Sequence, residues 1–393
     1  MSAQDSVVIV GMARTPMGGL LGELSGFTAS DLGAAAISAA VADAGVAGEA
    51  VDWVLMGNCL PAGQGQAPAR QAGVKAGLPK SAEATTLNKM CGSGMQAAVL
   101  GRAAILAGEA RIVVAGGMES MTNAPHLVDL RKGHKYGHAS MKDHMALDGL
   151  EDAYQGGAMG VFADMIAREY QFSREQQDAY ALETLTRAQS AAREGRFARE
   201  IAPLKTVSRK GETVIASDEL PRAARPEKIP ELKPAFSKDG TITAANASAI
   251  SDGAAALVLM KASDAEARGL KPLARIVATA AHSHEPAYFT TAPVPAIRKA
   301  LEKAGWSAAE VDLWEINEAF AVVPMIAMKE LGVPHERVNV NGGACALGHP
   351  IGASGARVIV TLINALEQRG ARRGVAALCI GGGEGIAMAV ERI

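Results

Sequence analysis

Ala36-Ile37-Ser38-Ala39-Ala40-Val41-Ala42-Asp43-Ala44-Gly45, early in the chain, returns as Ala296-Ile297-Arg298-Lys299-Ala300-Leu301-Glu302-Lys303-Ala304-Gly305 near its end. The offset is 260 (296 − 36), and it holds without a gap through Val51-Asp52 and Val311-Asp312. Each copy predicts an amphipathic helix, a glycine stop and a short strand. A second pair keeps nearly the same register. Cys91-Gly92-Ser93-Gly94 opens a small-residue helix through Ala107, then Gly108, a strand over 111–115 and Gly116-Gly117. Gly352-Ala353-Ser354-Gly355 opens a helix to Leu366, then Gly370, a strand over 375–379 and Gly381-Gly382-Gly383; the offset is 261 (354 − 93). Two coincidences at nearly one offset mean an internal duplication. Both halves alternate strands with helices, so an α/β protein of mostly parallel sheets covered by helices is expected.

The stretch 121–249 has no counterpart in the second half and reads as an insertion. It holds His126, His134, His138 and His144, a long polar helix over 173–194, and the proline-punctuated run 221–234. It is too long for a bare loop, which predicts partial helicity. The first half then occupies 1–120, completed by about 250–271 through a strand over 252–260, and the second half occupies 272–393.

Composition narrows the possible functions. The chain has 393 residues, net charge −2 and no strongly basic block, which argues against nucleic acid as the main partner. Aromatic residues are only 4% while there are 43 glycines, as suits close backbone packing. The N-terminal run lacks the basic start and apolar stretch of a signal peptide, and no apolar segment is expected to span a membrane. Cys59, Cys91, Cys345 and Cys379 lie far apart without a C-x-x-C pair, so reduced thiols in a cytoplasm are expected, with no structural metal. The histidines between 126 and 144 have no spacing that suits one metal, and Val8–Arg14 lacks a dinucleotide-binding glycine pattern.

Four short stretches carry possible chemistry. Cys91 precedes Gly-Ser-Gly at a helix start, where the helix dipole and free N–H groups would favour a thiolate; it could equally be a buried structural thiol. His349 stands before the matching helix of the second half, near the position that mirrors Cys91, and either pairs with that thiol or serves as a turn residue. Cys379 ends a strand ahead of Gly381-Gly382-Gly383, as a second thiol for acid–base work or as a core residue. Asn317, in Glu315-Ile316-Asn317-Glu318-Ala319-Phe320, could hold a water, donate to an oxyanion or cap a helix.

Taken together, Asn88-Lys89-Met90-Cys91-Gly92-Ser93-Gly94, Asn317-Glu318-Ala319-Phe320, Gly348-His349-Pro350-Ile351-Gly352-Ala353-Ser354-Gly355 and Cys379-Ile380-Gly381-Gly382-Gly383 resemble the signature blocks of the thiolase family, in that family's order and spacing. The likeness covers the whole chain, insertion included, and is greatest to short-chain acetyl-CoA acetyltransferases. It implies the thiolase fold: two duplicated halves around buried helices in αβαβα layers, an inserted loop domain, and assembly as a homotetramer, with residues 132–148 as the tetramer loop. It also implies roles. Cys91 would be the nucleophile and His349 its activator. Asn317 would hold a water at one oxyanion site, and Cys379 would move the C2 proton. The N–H groups of Cys91 and Gly381 would form the other oxyanion hole. Coenzyme A enters as a substrate, not as a resident cofactor, and by resemblance meets Leu150, Met159, Arg222, Phe236, Ala244, Ser248, Ala319 and Phe320.

Three positions depart from the family pattern: Ala158 stands where a bulky His or Tyr is usual, Phe289 where Met is usual, and Cys345 where an aliphatic residue is common. Two enzyme readings follow, a short-chain acetyltransferase and a broader degradative 3-ketoacyl-CoA thiolase. A non-catalytic acyl-CoA-binding protein is a third. A ketosynthase relative would want a second histidine where Cys379 stands.

Overall fold

The β-branched run Val7-Val8-Ile9-Val10 favours extended backbone and forms the strand β1 (Val7–Arg14) in the middle of the sheet. The computed structural model describes residues 5–208 and 211–393. The other strands of the main sheet are β2 (Trp53–Gly57), β3 (Glu83–Leu87), β4 (Val113–Ser120), β5 (Ser251–Lys261), β6 (Ala274–Ser283), β7 (Leu313–Ile316), β8 (Arg373–Ile380) and β9 (Glu384–Arg392). They lie in the order β7-β8-β9-β6-β1-β5-β4-β2-β3, with the short strand Gly18–Gly19 pairing onto β5. β1 and β6 share only the pairs Val8–Arg275 and Ile9–Ala274, so two half-sheets meet at a narrow seam.

The expectation of mostly parallel sheets needs correction. Pairing is parallel for β2–β3, β2–β4 and β7–β8, but antiparallel for β1–β5, β4–β5, β1–β6, β6–β9 and β8–β9. Gly381-Gly382-Gly383 turns β8 directly into β9, with Gly382 and Gly383 at φ 93° and 84°, and so short a turn can only join antiparallel neighbours.

The longer helices are α1 (Ala29–Ala44), α2 (Ser93–Ala107), α3 (Met159–Glu169), α4 (Arg174–Arg193), α5 (Pro293–Ala304), α6 (Val322–Leu331) and α7 (Ile351–Gln368). Alternation along β1 assigns the layers: Val7 and Ile9 join Met95, Ile105, Val358 and Leu362 of α2 and α7, while Val8 and Val10 join Ala36, Ile37 and Ala40 of α1. On the other half-sheet, Ala377, Ala387 and Ala389 pack outward against Ala296, Ile297 and Ala300 of α5. The result is five layers, αβαβα, with α7 buried from Ile351 to Leu366. The stretch Met90–Ala107 is long and apolar enough to cross a membrane by length and composition, yet here it is the core helix packed on α7.

The duplication extends to individual hydrogen bonds. Asp52 Oδ2 accepts from the N–H groups of Arg111 and Ile112 at 2.8 and 2.9 Å, and Asp312 Oδ2 accepts from those of Arg372 and Arg373 at 2.9 and 2.8 Å. α1 and α5 both stop at a left-handed glycine, Gly45 (φ 64°) and Gly305 (φ 68°). Between β4 and β5 the chain carries α3 and α4; Ser173 caps α4 through a reciprocal pair with Gln176, matching the helix read over 173–194.

Candidate active site

Cys91 sits two residues ahead of α2, in a turn that forces Met90 to φ 45°. Ser93 holds this turn: its Oγ accepts from Lys89 N at 2.8 Å and donates to Met90 O at 2.6 Å. Gly92 lies close against β8: a Cβ there would stand 2.5 Å from Ile380 Cδ1. The glycine turn after β8 thereby comes against the cysteine, and the N–H groups of Gly381 and of Cys91 itself point at Sγ. Lys89 Nζ and Glu384 Oε2, 2.6 Å apart, tie the two loops together from opposite halves of the chain.

The N–H donors around Cys91 lower its thiol, but they do not act alone. Burial pushes the thiol up to about 11, outweighing the donors from Gly381 and Cys91, and the Glu119 carboxylate adds to the rise. Cys379, fully buried near the end of β8, is also held well above the ordinary thiol range by burial, and the nearby Cys91 sulfur adds to the rise. The resting pair is therefore two neutral thiols, and Cys91 needs a base to release its proton.

His349 supplies a candidate base. Its Nδ1 lies 2.6 Å from Ser354 Oγ and 3.5 Å from Asn317 Nδ2, while Nε2 has no partner. Burial, reinforced by the Arg357 charge, pushes the imidazole down to about 3, so it is neutral. Gly348 (φ 98°) makes the turn before it, and His349 N donates to Ala249 O at 3.1 Å. Ile351, two residues on, packs in the same apolar cluster as Cys91 and Leu150. Asn317 follows β7 and caps no helix; its N–H donates to Ala377 O at 2.9 Å, which fixes it beside β8. His349 and Asn317 thus stand together, as do Cys91, Gly381 and Cys379.

The acyl-CoA candidates line the approach. Met159 opens α3 with its methyl 3.8 Å from where a Cβ on Gly381 would lie. Ser248 N donates to Ala319 O at 2.9 Å, and Phe320 packs edge-on against Phe236 and Phe289 at 6.0 and 6.2 Å. Ala244 lines a cavity of about 340 Å³ with Leu185, Arg225, Lys228, Ile229 and Cys345. Arg222 lies outside that lining, and its guanidinium donates to Glu23 Oε2 at 2.6 Å.

Two family models divide the chain between them: the thiolase N-terminal domain over residues 7–263 and the thiolase C-terminal domain over 270–392. The chain belongs to the thiolase family. It is 51% identical to an acetyl-CoA acetyltransferase of Rhizobium meliloti over the full length of both chains. A cytosolic acetyl-CoA acetyltransferase of Rattus norvegicus is 49% identical, with 100% of this chain and 99% of the relative covered. Among solved structures, the acetyl-CoA acetyltransferase of Bacillus anthracis superposes with a TM-score of 0.97 at 41% identity, covering both chains fully. A thiolase of Ascaris suum in complex with coenzyme A superposes at 0.94 with 42% identity, covering 99% of this chain and 100% of that one.

Several groups around this thiolase site were not read from the sequence. Glu119, fully buried, accepts from Asn58 Nδ2, Cys59 N, Leu60 N and Gly352 N at 2.6–3.1 Å, clamping the start of α7 to the other half. Glu318 accepts from Tyr180, Thr184, Asn339 and the N–H of Cys345, linking α4 to the segment that carries Asn317. Cys345 itself packs as a small group in the cavity wall. Arg357 is buried at 1% exposure. Each is a charged or polar group among apolar neighbours, legible only as an interruption of an otherwise apolar run.

Proposed function

We propose that this chain is an acetyl-CoA C-acetyltransferase, joining two acetyl-CoA molecules into acetoacetyl-CoA and CoA and catalysing the reverse thiolysis. What supports the reading is a thiol with the Gly381 N–H beside it, in one apolar cluster with Ile351, and two residues before Ile351 a neutral His349 whose Nε2 has no partner among the described residues.

Cys91 attacks the thioester carbonyl while His349 Nε2 accepts its proton. The carbonyl oxygen gains the negative charge, which the N–H groups of Cys91 and Gly381 stabilise; losing one such donor typically costs about 10²–10³ in rate. CoA then leaves with a proton and the acetyl group stays on Cys91. For the second step Cys379 passes its proton to His349, neutral again once CoA has left, and as thiolate takes the C2 proton of another acetyl-CoA. Its apolar burial makes that thiolate a strong base. The resulting enolate oxygen is held by His349 and by Asn317 through a water. The C2 carbanion attacks the acetyl–Cys91 carbonyl, and Cys91 leaves as thiolate and takes the proton back from His349.

Coenzyme A is a substrate here, and the cavity lined by Ala244 is a suitable seat for part of it. Arg225 and Lys228 line that cavity and suit its phosphates better than Arg222, which is paired with Glu23. Leu150, Met159, Phe236, Ser248, Ala319 and Phe320 form the path towards Cys91. We assign the insertion 121–249 to CoA binding and to assembly as a dimer of dimers, with Tyr136 and Met141 exposed on the loop 132–148. A cytoplasmic location fits the rat relative named cytosolic.

A second reading, a broader 3-ketoacyl-CoA thiolase, is favoured by Ala158. This small residue stands at the start of α3, next to Met159, where a bulky His or Tyr is usual. The deciding experiment is CoA-dependent thiolysis of acetoacetyl-CoA against a medium-chain 3-ketoacyl-CoA at matched concentrations. Preference for acetoacetyl-CoA is expected. Comparable rates on the longer substrate would make the broader enzyme the correct reading, and cleavage of neither would refute both.

A further inference from the structure

We propose that Arg357 is a positioning residue that fixes which end of the Asn317 side-chain amide faces the catalytic cavity. The proposal rests on the activity inferred above. Arg357 lies on α7, eight residues after His349, inside a helix buried on all sides. One guanidinium nitrogen donates to Glu315 Oε2 at 3.2 Å, and the other donates to Asn317 Oδ1 at 3.3 Å. Glu315 and Asn317 are separated by one residue at the end of β7, so alternation puts both side chains on one face, where a single planar fork spans them.

A guanidinium has donors and no acceptor, so it can hold only the oxygen of an amide. With Oδ1 held, Nδ2 is the end left for the cavity, and it lies 3.5 Å from the His349 ring. A flipped amide would turn a carbonyl oxygen towards the developing enolate, where repulsion replaces donation. The ion pair with Glu315 fixes the guanidinium in turn, both side chains being 1–2% exposed. The Arg357 charge also supports the neutral state of His349, acting in the same direction as burial.

The test uses the full-length enzyme and two readouts. One is exchange of the C2 protons of acetyl-CoA with deuterated solvent, which needs the Asn317 side. The other is acetylation of Cys91 by acetyl-CoA, read by mass spectrometry, which needs the Gly381 side. Burial pushes Glu315 up to about 8, so removing Arg357 alone leaves a carboxyl that takes up a proton; the Arg357→Met/Glu315→Gln variant removes the pair without stranding a charge. That variant should lose about tenfold or more in exchange while Cys91 acetylation stays within about threefold. In an Asn317→Ala background the same change should cost no further exchange. Should that variant not fold, Arg357→Lys, which keeps the charge but not the fork, carries the same comparison with a smaller exchange loss expected. Equal loss of both steps, a full further loss in the Asn317→Ala background, or unchanged exchange would overturn the proposal. A wild type that exchanges no C2 proton instead strikes the inferred activity itself, and is thereby told apart.

Discussion

Gly94 and Gly355 meet backbone to backbone where α2 crosses α7: a Cβ on Gly94 would stand 2.6 Å from Ala356 N, and one on Gly355 would collide with Met95 N. These pairs are related by the 261-residue offset of the duplication (355 − 94). The contact therefore lies at the pseudo-two-fold axis, and it brings the N-terminal ends of both buried helices, hence Cys91 and His349, to one region. The obstructing atoms are backbone, which cannot rotate away. Gly94→Ala should destabilise the protein by about 1–3 kcal/mol, with a matching fall in thermal midpoint. An unchanged midpoint would show that the helices can separate at little cost.

Burial holds the Cys91 thiol at about 11 and the His349 imidazole at about 3. At neutral pH the resting site is thiol plus imidazole, not a thiolate–imidazolium pair. The thiolate fraction then rises about tenfold for each pH unit until the pH nears the thiol's pKa. Alkylation of Cys91 by iodoacetamide, followed by mass spectrometry, should accelerate continuously from pH 6 to 9. A plateau reached near pH 7 would show a preformed ion pair and reverse this assignment.

How much of this was legible beforehand depends on the kind of information involved. The repeat at 36–45 and 296–305 was legible because each copy packs as a unit and keeps its own glycine stop, Gly45 or Gly305. Strand direction was not. β5 is an almost wholly buried strand, and a buried apolar run looks the same whichever way its neighbours point. The residue types of the site were visible in the motifs, but the burial around Cys91 was not. Proximity to a helix start is visible in sequence, whereas desolvation depends on Ile380 and other groups remote in the chain. Arg222 and its neighbours Arg225 and Lys228 could not be distinguished either, because the partner that occupies Arg222, Glu23, lies far away along the chain.

Arg225 and Lys228 line the cavity that holds Ala244, while Arg222 is engaged by Glu23. If the cavity takes the charged part of CoA, then Lys228→Met or Arg225→Met should raise KM for CoA in thiolysis by about tenfold, the weight of one charge-assisted contact. kcat should change little, since these contacts are made equally before and during the reaction. Arg222→Met should leave KM for CoA near the wild-type value. A large effect at Arg222 alone would place the phosphates on the Glu23 side.

The two thiols, Cys91 and Cys379, are assigned different tasks, and this can be tested without knowing the preferred acyl chain. Cys91 has the Gly381 N–H beside its sulfur, so it is the thiol placed to carry an acyl group beside a donor for the carbonyl oxygen. Cys379 is completely enclosed near the end of β8, with Cys91 as a close neighbour. Cys91→Ser should abolish accumulation of acetyl-enzyme, because a serine hydroxyl is a far weaker nucleophile than a thiolate at the same position. Cys379→Ser should still become acetylated on Cys91 but should exchange no C2 proton, because a hydroxyl cannot replace the thiolate as base. Both variants change one atom and should keep the wild-type thermal midpoint within a few degrees. Acetylation retained by Cys91→Ser, or proton exchange retained by Cys379→Ser, would require the two roles to be interchanged or carried elsewhere.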